Sequence, residues 1–459
     1  MHMKTKTLSL VLIPLLAYFS ASATSQAVSP PPDGGYPGGN TAEGDNALLG
    51  LTTGTYNTAV GWFSLQSNLI GNFNTAIGAG TLFTNTADAN TAVGVGALLN
   101  NTTGANNTAA GVFALFDNTT GGSNTATGFG ALGNNTSGNS NTAAGFNALL
   151  NNTSGNFNTA AGVNALLNNT IANNNTAIGY QALLTNTTGL GNTAIGFRAL
   201  QSSSDGDANT AIGGNALSNN TTGGGNAAFG GGTLLSNTSG DSNTAIGVGA
   251  LSFNTTGNEN VALGEGAGGN VTTANNVICI GSDGANVNNS CFIGNIRGVT
   301  TAQMDAVAVF VDSDGQLGTV SSSRRYKTDI QTMGKDSQAI LALKPVTFHY
   351  KSDSTKVAQF GLIAEEVAEI NPDLVARDKN GEIYTVRYDA VNAMLLNEFL
   401  KEHRKVQEQE ATIAQLRKDL QVNATRQQQQ IDALSAGLQK VSAQLELHQS
   451  PSQTVLNDR

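Results

Sequence analysis

Asn192-Thr193-Ala194-Ile195-Gly196 is followed, 17 residues on, by Asn209-Thr210-Ala211-Ile212-Gly213. The same phrase or a close variant opens at Asn40, Asn57, Asn74, Asn90, Asn107, Asn124, Asn141, Asn158, Asn175, Asn226, Asn243 and Asn260, and every step is 17 residues except one of 16. Glycine stands four residues after each start, from Gly44 to Gly264. Ala-Leu usually follows, as in Ala97-Leu98 and Ala165-Leu166, and then Asn-Thr-Thr-Gly or Asn-Thr-Ser-Gly. A fixed period this short defines a solenoid in which each unit stacks on the last. It leaves no room for two helices. Asn-Thr-Ala-Ile-Gly reads as a short strand ending at glycine, and Asn-Thr-Thr-Gly as a turn. The fold class is therefore mainly β, with a β-solenoid over residues 40–270. Small Ala and Gly let the walls approach, Leu and Ile fill the interior, and Asn and Thr form ladders outside. Fourteen such units give a rod of about 65 Å at a rung spacing of about 4.8 Å.

Nothing in the array looks catalytic. It carries nine acidic residues, one arginine (Arg198) and no lysine. Asp205, Asp207 and Glu259 lack the spacing of calcium-binding repeats. Asn-x-Thr triplets match glycosylation acceptors, but in such an array they read as repeat turns. The array's Asn-x-Ala-Ile-Gly-x-x-Ala core resembles the head repeats of trimeric bacterial surface adhesins, which form left-handed parallel β-rolls. This chain departs from them in its longer Asn-Asn-Thr-Thr-Gly turn.

Ahead of the array, Lys4 and Lys6 precede an apolar run from Leu8 to Phe19, and Ala21-Ser22-Ala23 offers a small-x-small cleavage site. This is the pattern of a signal peptide over 1–23. The run is shorter than the roughly 20 residues of a membrane span, and no later stretch is longer, so a mature chain without a transmembrane segment, secreted or at the cell surface, is expected. Residues 24–39, with Pro30-Pro31-Pro32, read as a linker. After the array, residues 271–321 leave the 17-residue pattern and read as short strands and turns, a β connector. Cys279 and Cys291, the only cysteines, fit either a disulfide permitted by export or two buried thiols in apolar runs. Two cysteines without nearby histidines make a poor metal site, and neither metal nor cofactor is expected.

The composition changes abruptly at Ser321-Ser322-Ser323-Arg324-Arg325-Tyr326-Lys327. No lysine occurs between Lys6 and Lys327, yet from Ser322 onward there are 18 basic and 18 acidic residues. The net charge of −10 thus lies upstream, which argues against nucleic acid as a partner. From Ser322 the grammar is α+β: a short helix at 337–343, a strand at 346–350, a helix from Gly361 that stops near Asn371-Pro372, a strand at 383–388 and a long helix from about Asp389. Over 391–448, Phe399, Val406, Ile413 and Leu420 step by seven with Leu416 between. Ile431, Leu434, Leu438, Val441 and Leu445 form a second set after a four-residue stutter. This predicts a coiled coil, followed by a tail at 449–459.

Ser322-Ser323-Arg324-Arg325-Tyr326-Lys327, Phe348-His349-Tyr350, Phe360-Gly361-Leu362-Ile363-Ala364-Glu365-Glu366-Val367, Tyr388-Asp389-Ala390 and the terminal coiled coil occur in that order. Together, over about 322–420, they resemble the intramolecular chaperone auto-processing domain of phage endosialidase tailspikes. The resemblance implies a homotrimer, a domain at 322–390 that helps a β fibre fold, and autoproteolysis. Ser322 becomes the nucleophile, Lys327 its base, Ser321–Ser322 the cleaved bond, and Arg324 and Arg325 supporting cations. Ser323 departs from the acidic residue often found there. The chemistry is that of a Ser–Lys pair: the hydroxyl needs a base, and the lysine serves only if burial or neighbouring arginines favour its neutral form. The competing picture makes Lys327 a solvated residue at a helix start and Ser322 a helix cap.

The resulting expectation is a secreted trimeric fibrous surface protein, adhesin-like, whose C-terminal domain assembles it and then releases itself. Its outside partner would be a cell-surface glycan or other host surface ligand. An ice- or glycan-binding solenoid with a non-cleaving trimerisation domain is the alternative. A glycan-cleaving enzyme ranks last, because the rod lacks the paired carboxylates of glycoside hydrolysis.

Overall fold

The computed structural model describes residues 36–448 apart from 304 and 379. The signal peptide, most of the leading linker and the tail lie outside the described residues. The chain divides at Thr300 into two compact units.

Among the described residues of the first unit 16 strands, β1 (Thr41–Glu43) to β16 (Ser290–Ile293), form one sheet in strict chain order. All neighbours are parallel, and like residues face like: Thr193, Ala194 and Ile195 lie beside Thr210, Ala211 and Ile212. The chain is a β-solenoid with one short strand per coil. The single 16-residue step, between Thr75 and Thr91, keeps this register. The sheet also continues past residue 270. β15 (Val277–Ile280) pairs with β14 (Val261–Leu263), and β16 pairs with β15 after a shorter step of 13 residues from Val277 to Ser290. Part of the expected connector is therefore solenoid.

Strand alternation decides what faces inward. Ala59, Ala126 and Ala194, the middle strand residues, are fully buried, as are Leu65, Leu132 and Leu200 from the Ala-Leu step. Two expectations about sides are reversed. The isoleucines point out: Ile77, Ile178 and Ile246 are all more than 40% exposed, because they sit two residues from Thr on the same face of the strand. The asparagines point in. Asn158 and Asn152 are fully buried, and each belongs to a ladder along the axis. Asn158 Nδ2 donates to Ala172 O at 2.8 Å, and its Oδ1 accepts from Asn175 N at 3.0 Å. Asn152 Nδ2 donates to Asn135 Oδ1 at 2.8 Å and to Gly155 O at 3.0 Å. A buried amide needs every partner it can reach, and identical residues one coil away supply them.

The repeated glycine follows from the same stacking. Gly145 has φ +144°, and a Cβ there would lie 2.5 Å from Gly162 O. More unusual, the inward leucines are left-handed, with φ 49° at Leu65 and 51° at Leu166. That conformation costs roughly 1–2 kcal/mol per residue. It is held by burial and by a backbone bond to the next coil, as from Leu65 N to Thr81 O at 3.0 Å. One coil alone has neither support.

The inner ladder breaks at Ser203, which takes the place of asparagine. Ser203 Oγ and Asn186 Oδ1 are both buried without a hydrogen-bond partner. Ser203→Asn is expected to mend the ladder and stabilise the rod by about 1–3 kcal/mol, read as a higher denaturant midpoint. An unchanged or lower midpoint would contradict the ladder's role.

Cys279 is buried and Cys291 exposed, and both are free. Cys279 lies beside Phe292, and Cys291 beside Ile278. Adjacent registers point to opposite faces, so neither a disulfide nor a pair of buried thiols forms. Burial, and secondarily the nearby Cys291 and Asp283, push the Cys279 thiol upward.

Among its described residues the second unit holds three two-stranded antiparallel ribbons: β17 (Phe310–Val311) with β18 (Leu317–Gly318), β19 (Val346–Phe348) with β20 (Gln359–Gly361), and β21 (Val375–Arg377) with β22 (Ile383–Val386). A 3-10 segment spans Asp336–Ala342, helix α1 spans Ala364–Ile370 and helix α2 spans Tyr388–Leu447. A small core of Val367, Leu374, Val375, Val386 and Met394 joins α1, the β21–β22 ribbon and the base of α2. The short helix expected at 337–343 is a 3-10 segment, and the long helix starts within one residue of its expected position. Among the described residues no helix is long and apolar enough to cross a membrane.

Candidate functional site

Ser321 and Ser322 are exposed, and Ser323 is half-buried. Ser323 N donates to Ser321 Oγ at 3.2 Å. Arg324–Tyr326 then form a single 3-10 turn. The residue capping that turn is Ser323, without a side-chain bond, so Ser322 is not the cap. Lys327 is exposed and extended, and its backbone N–H donates to Arg324 O at 3.1 Å. The Arg325 guanidinium lies 5.1 Å from the centre of the Tyr326 ring. Among the described residues no hydrogen bond joins Ser322 Oγ to Lys327. Within one chain, then, the turn brings the serines and both arginines close in sequence but encloses none of them.

Downstream residues are more tightly held. The Tyr388 hydroxyl accepts from Leu362 N at 3.0 Å. A Cβ on Gly361 would lie 2.8 Å from that hydroxyl, which accounts for glycine between Phe360 and Leu362. At the base of α2 four residues meet around one hydroxyl. Ser337, fully buried, donates to Glu398 Oε1. It accepts from Asn397 Nδ2 at 2.7 Å and from Lys401 Nζ at 3.0 Å. Lys401 Nζ also reaches Glu398 Oε1 and Gly334 O, both at 2.6 Å. Lys401 and then Ser337 hold the Glu398 carboxyl below its usual range. Sequence reading missed this cluster. Its only local trace is the Glu398/Lys401 spacing of three, which puts both on one helix face.

Beyond Met394, α2 has no buried residue. Ile413, Leu416 and Leu420 all stand in water, Leu420 at 72% exposure. On the rod, an apolar column runs beside the outward isoleucines. Phe129 stacks on Phe146 with centroids 5.4 Å apart, and Tyr180 on Phe197 at 5.5 Å. The turn threonines, by contrast, spend their donors along the axis on the backbone of the next coil: Thr119 Oγ1 donates to Thr136 O and Thr136 Oγ1 to Thr153 O, at 2.8 and 2.9 Å.

Residues 322–376 match the family of peptidases described as Chaperone of endosialidase. The match begins at the serine singled out above and covers α1 and the β19–β20 ribbon. The chain thus joins a β-solenoid to a segment similar to the chaperone of endosialidase. No curated protein and no solved structure matches the chain.

Proposed function

We propose that this chain is a secreted, trimeric, adhesin-like fibre whose C-terminal domain assembles three copies, registers their solenoids and then cuts itself free between Ser321 and Ser322. The observation that carries this reading is the place where the family match starts, at Ser322 itself, after the last ribbon ahead of the chaperone-like domain. The apolar faces left open on α2 and on the rod support self-association, because contiguous exposed apolar surface marks an interaction site. A heptad seam on a helix of 60 residues fits a coiled coil.

In the chemistry, Ser322 Oγ attacks the carbonyl carbon of Ser321 and gives its proton to Lys327. The Ser321–Ser322 C–N bond breaks as the C–O bond forms, and the leaving nitrogen takes a proton to become the free amine of Ser322. Water then hydrolyses the ester, leaving a carboxylate on Ser321 and restoring the Ser322 hydroxyl. Lys327 takes that proton only as the free amine, and a neighbouring copy covering the exposed turn would keep water from it. The reaction is a single turnover on the chain's own backbone, and the finished rod is what meets a host surface ligand such as a glycan.

Mass spectrometry of the purified full chain tests this. The wild type is expected to yield a second polypeptide starting at Ser322. Ser322→Ala and Lys327→Ala should each stay whole, a loss of roughly 10⁴-fold or more in rate. A wild type that remains intact, or either variant splitting normally, would overturn the assignment.

A further inference from the structure

The chain between Lys327 and Met333 is exposed and without a tie to the helix, and the first fixed points after it are Met333, on the small core, and Gly334. The cluster around Ser337, which holds Gly334, is therefore the first polar anchor on the C-terminal side of the cut. All three protons of the Lys401 ammonium have acceptors: Glu398 Oε1, Gly334 O and Ser337 Oγ. Ser337 is the one buried polar residue among the described residues of this unit. A buried hydroxyl saturated by a carboxylate, an amide and an ammonium has one geometry, and charged hydrogen bonds of this kind strengthen as water leaves. Its helix half, Asn397, Glu398 and Lys401, lies on the side of α2 turned from Phe399, the first residue of the apolar seam, which is 64% exposed in the single chain. A helix from another copy seated on Phe399 fixes α2 as a rigid rod, and the cluster on its other side carries the Gly334–Ser337 segment with it.

We propose that Ser337, Glu398 and Lys401 form the joint that turns closure of the α2 seam into placement of Ser322 and Lys327. They are positioning residues, acting through the segment they hold rather than on the scissile bond. This rests on the self-cleavage reading, and the test separates the two.

Lys401→Met in the full chain removes the donors and keeps the stem. It is expected to sediment as the same oligomer as wild type, yet to split about a hundred-fold more slowly, the scale of a 1 Å misplacement. Lys401→Arg, which keeps charge and donors, should recover most of that rate. In a Ser322→Ala background, Lys401→Met should speed amide exchange across 322–335 while α2 stays protected. Ser337→Ala, which deletes only the hydroxyl, should repeat both effects. If Lys401→Met assembles, splits and exchanges like wild type, the joint is wrong while self-cleavage stands. A failure of arginine to restore the rate would reduce Lys401 to a packing role and also overturn it. If wild type never splits, self-cleavage falls, and the exchange comparison alone decides the joint. If both disrupting variants fail to assemble, the cluster builds the oligomer rather than transmitting its formation, and the proposal fails.

Discussion

Asn158→Ala is expected to destabilise the rod by several kcal/mol, far more than any surface change in the same coil. Asn158 sits mid-array, fully buried. Its side chain accepts from Asn175 N at 3.0 Å and donates to Ala172 O at 2.8 Å and Asn141 Oδ1 at 3.2 Å. Alanine leaves the buried Asn175 N–H unpaired, at about 1–3 kcal/mol, takes one of two donors from Ala172 O and from Asn141 Oδ1, and adds a void. In a solenoid each unit is held by its neighbours, so a weak interface in the middle uncouples the two ends. Thr159→Ala, at the half-buried outward position next door, is the control and should stay within about 0.5 kcal/mol. Denaturant unfolding of the soluble protein, with proteolysis to locate the opened coil, measures both. Equal stability of the two variants would remove the amide ladder from the account of what holds the rod.

The second large effect is expected at the helix seam. Ile413 and Leu416 stand exposed on α2 at 49% and 61%. Ile413→Asp with Leu416→Asp removes about 1.5–3 kcal/mol of burial per side chain in each chain and adds the cost of desolvating two carboxylates. The double variant should run as a monomer in analytical ultracentrifugation. On a gel it should remain uncleaved, since an unassembled chain leaves Lys327 in water. A monomer that splits at the wild-type rate would show that assembly does not govern the cut. An oligomer of unchanged mass would show that the seam is not the interface.

The period, the parallel register and the strand at Asn-Thr-Ala-Ile-Gly were legible in the sequence because one coil repeats the same local signals. The side on which each residue sits was less legible. Polar Asn was placed outside on general grounds, but its partners are copies of itself one coil away, and no single unit contains them. Ile was placed inside for its hydrophobicity, although alternation from the buried Ala puts it out. The sheet's last two strands were read as strands of a connector rather than as further coils; the second of them enters after a 13-residue step from Val277 to Ser290, which breaks the spacing while keeping the pairing. In the second unit the elements were legible from Gly361, Pro372 and the heptads. The segment with Ser322 and Lys327 was legible as a motif, but the chemistry proposed for it needs groups a single chain does not bring together. The Ser337 cluster was invisible because Ser337 and Lys401 are 64 positions apart, and nothing near either names the other.

The unbroken like-on-like register gives the array a ruler's property. Every coil offers its successor the surface it received from its predecessor, so no position along the axis is marked as the middle. Copy number alone then sets the reach of the fibre, in increments of about 4.8 Å. A gain or loss of one whole unit leaves every remaining contact of the same kind. The 16-residue step at Thr75–Thr91 shows where an inexact copy is absorbed, in the turn rather than in the strand. Duplication and deletion within such a gene thus change length without changing architecture, and reach becomes a trait that selection can adjust separately from stability.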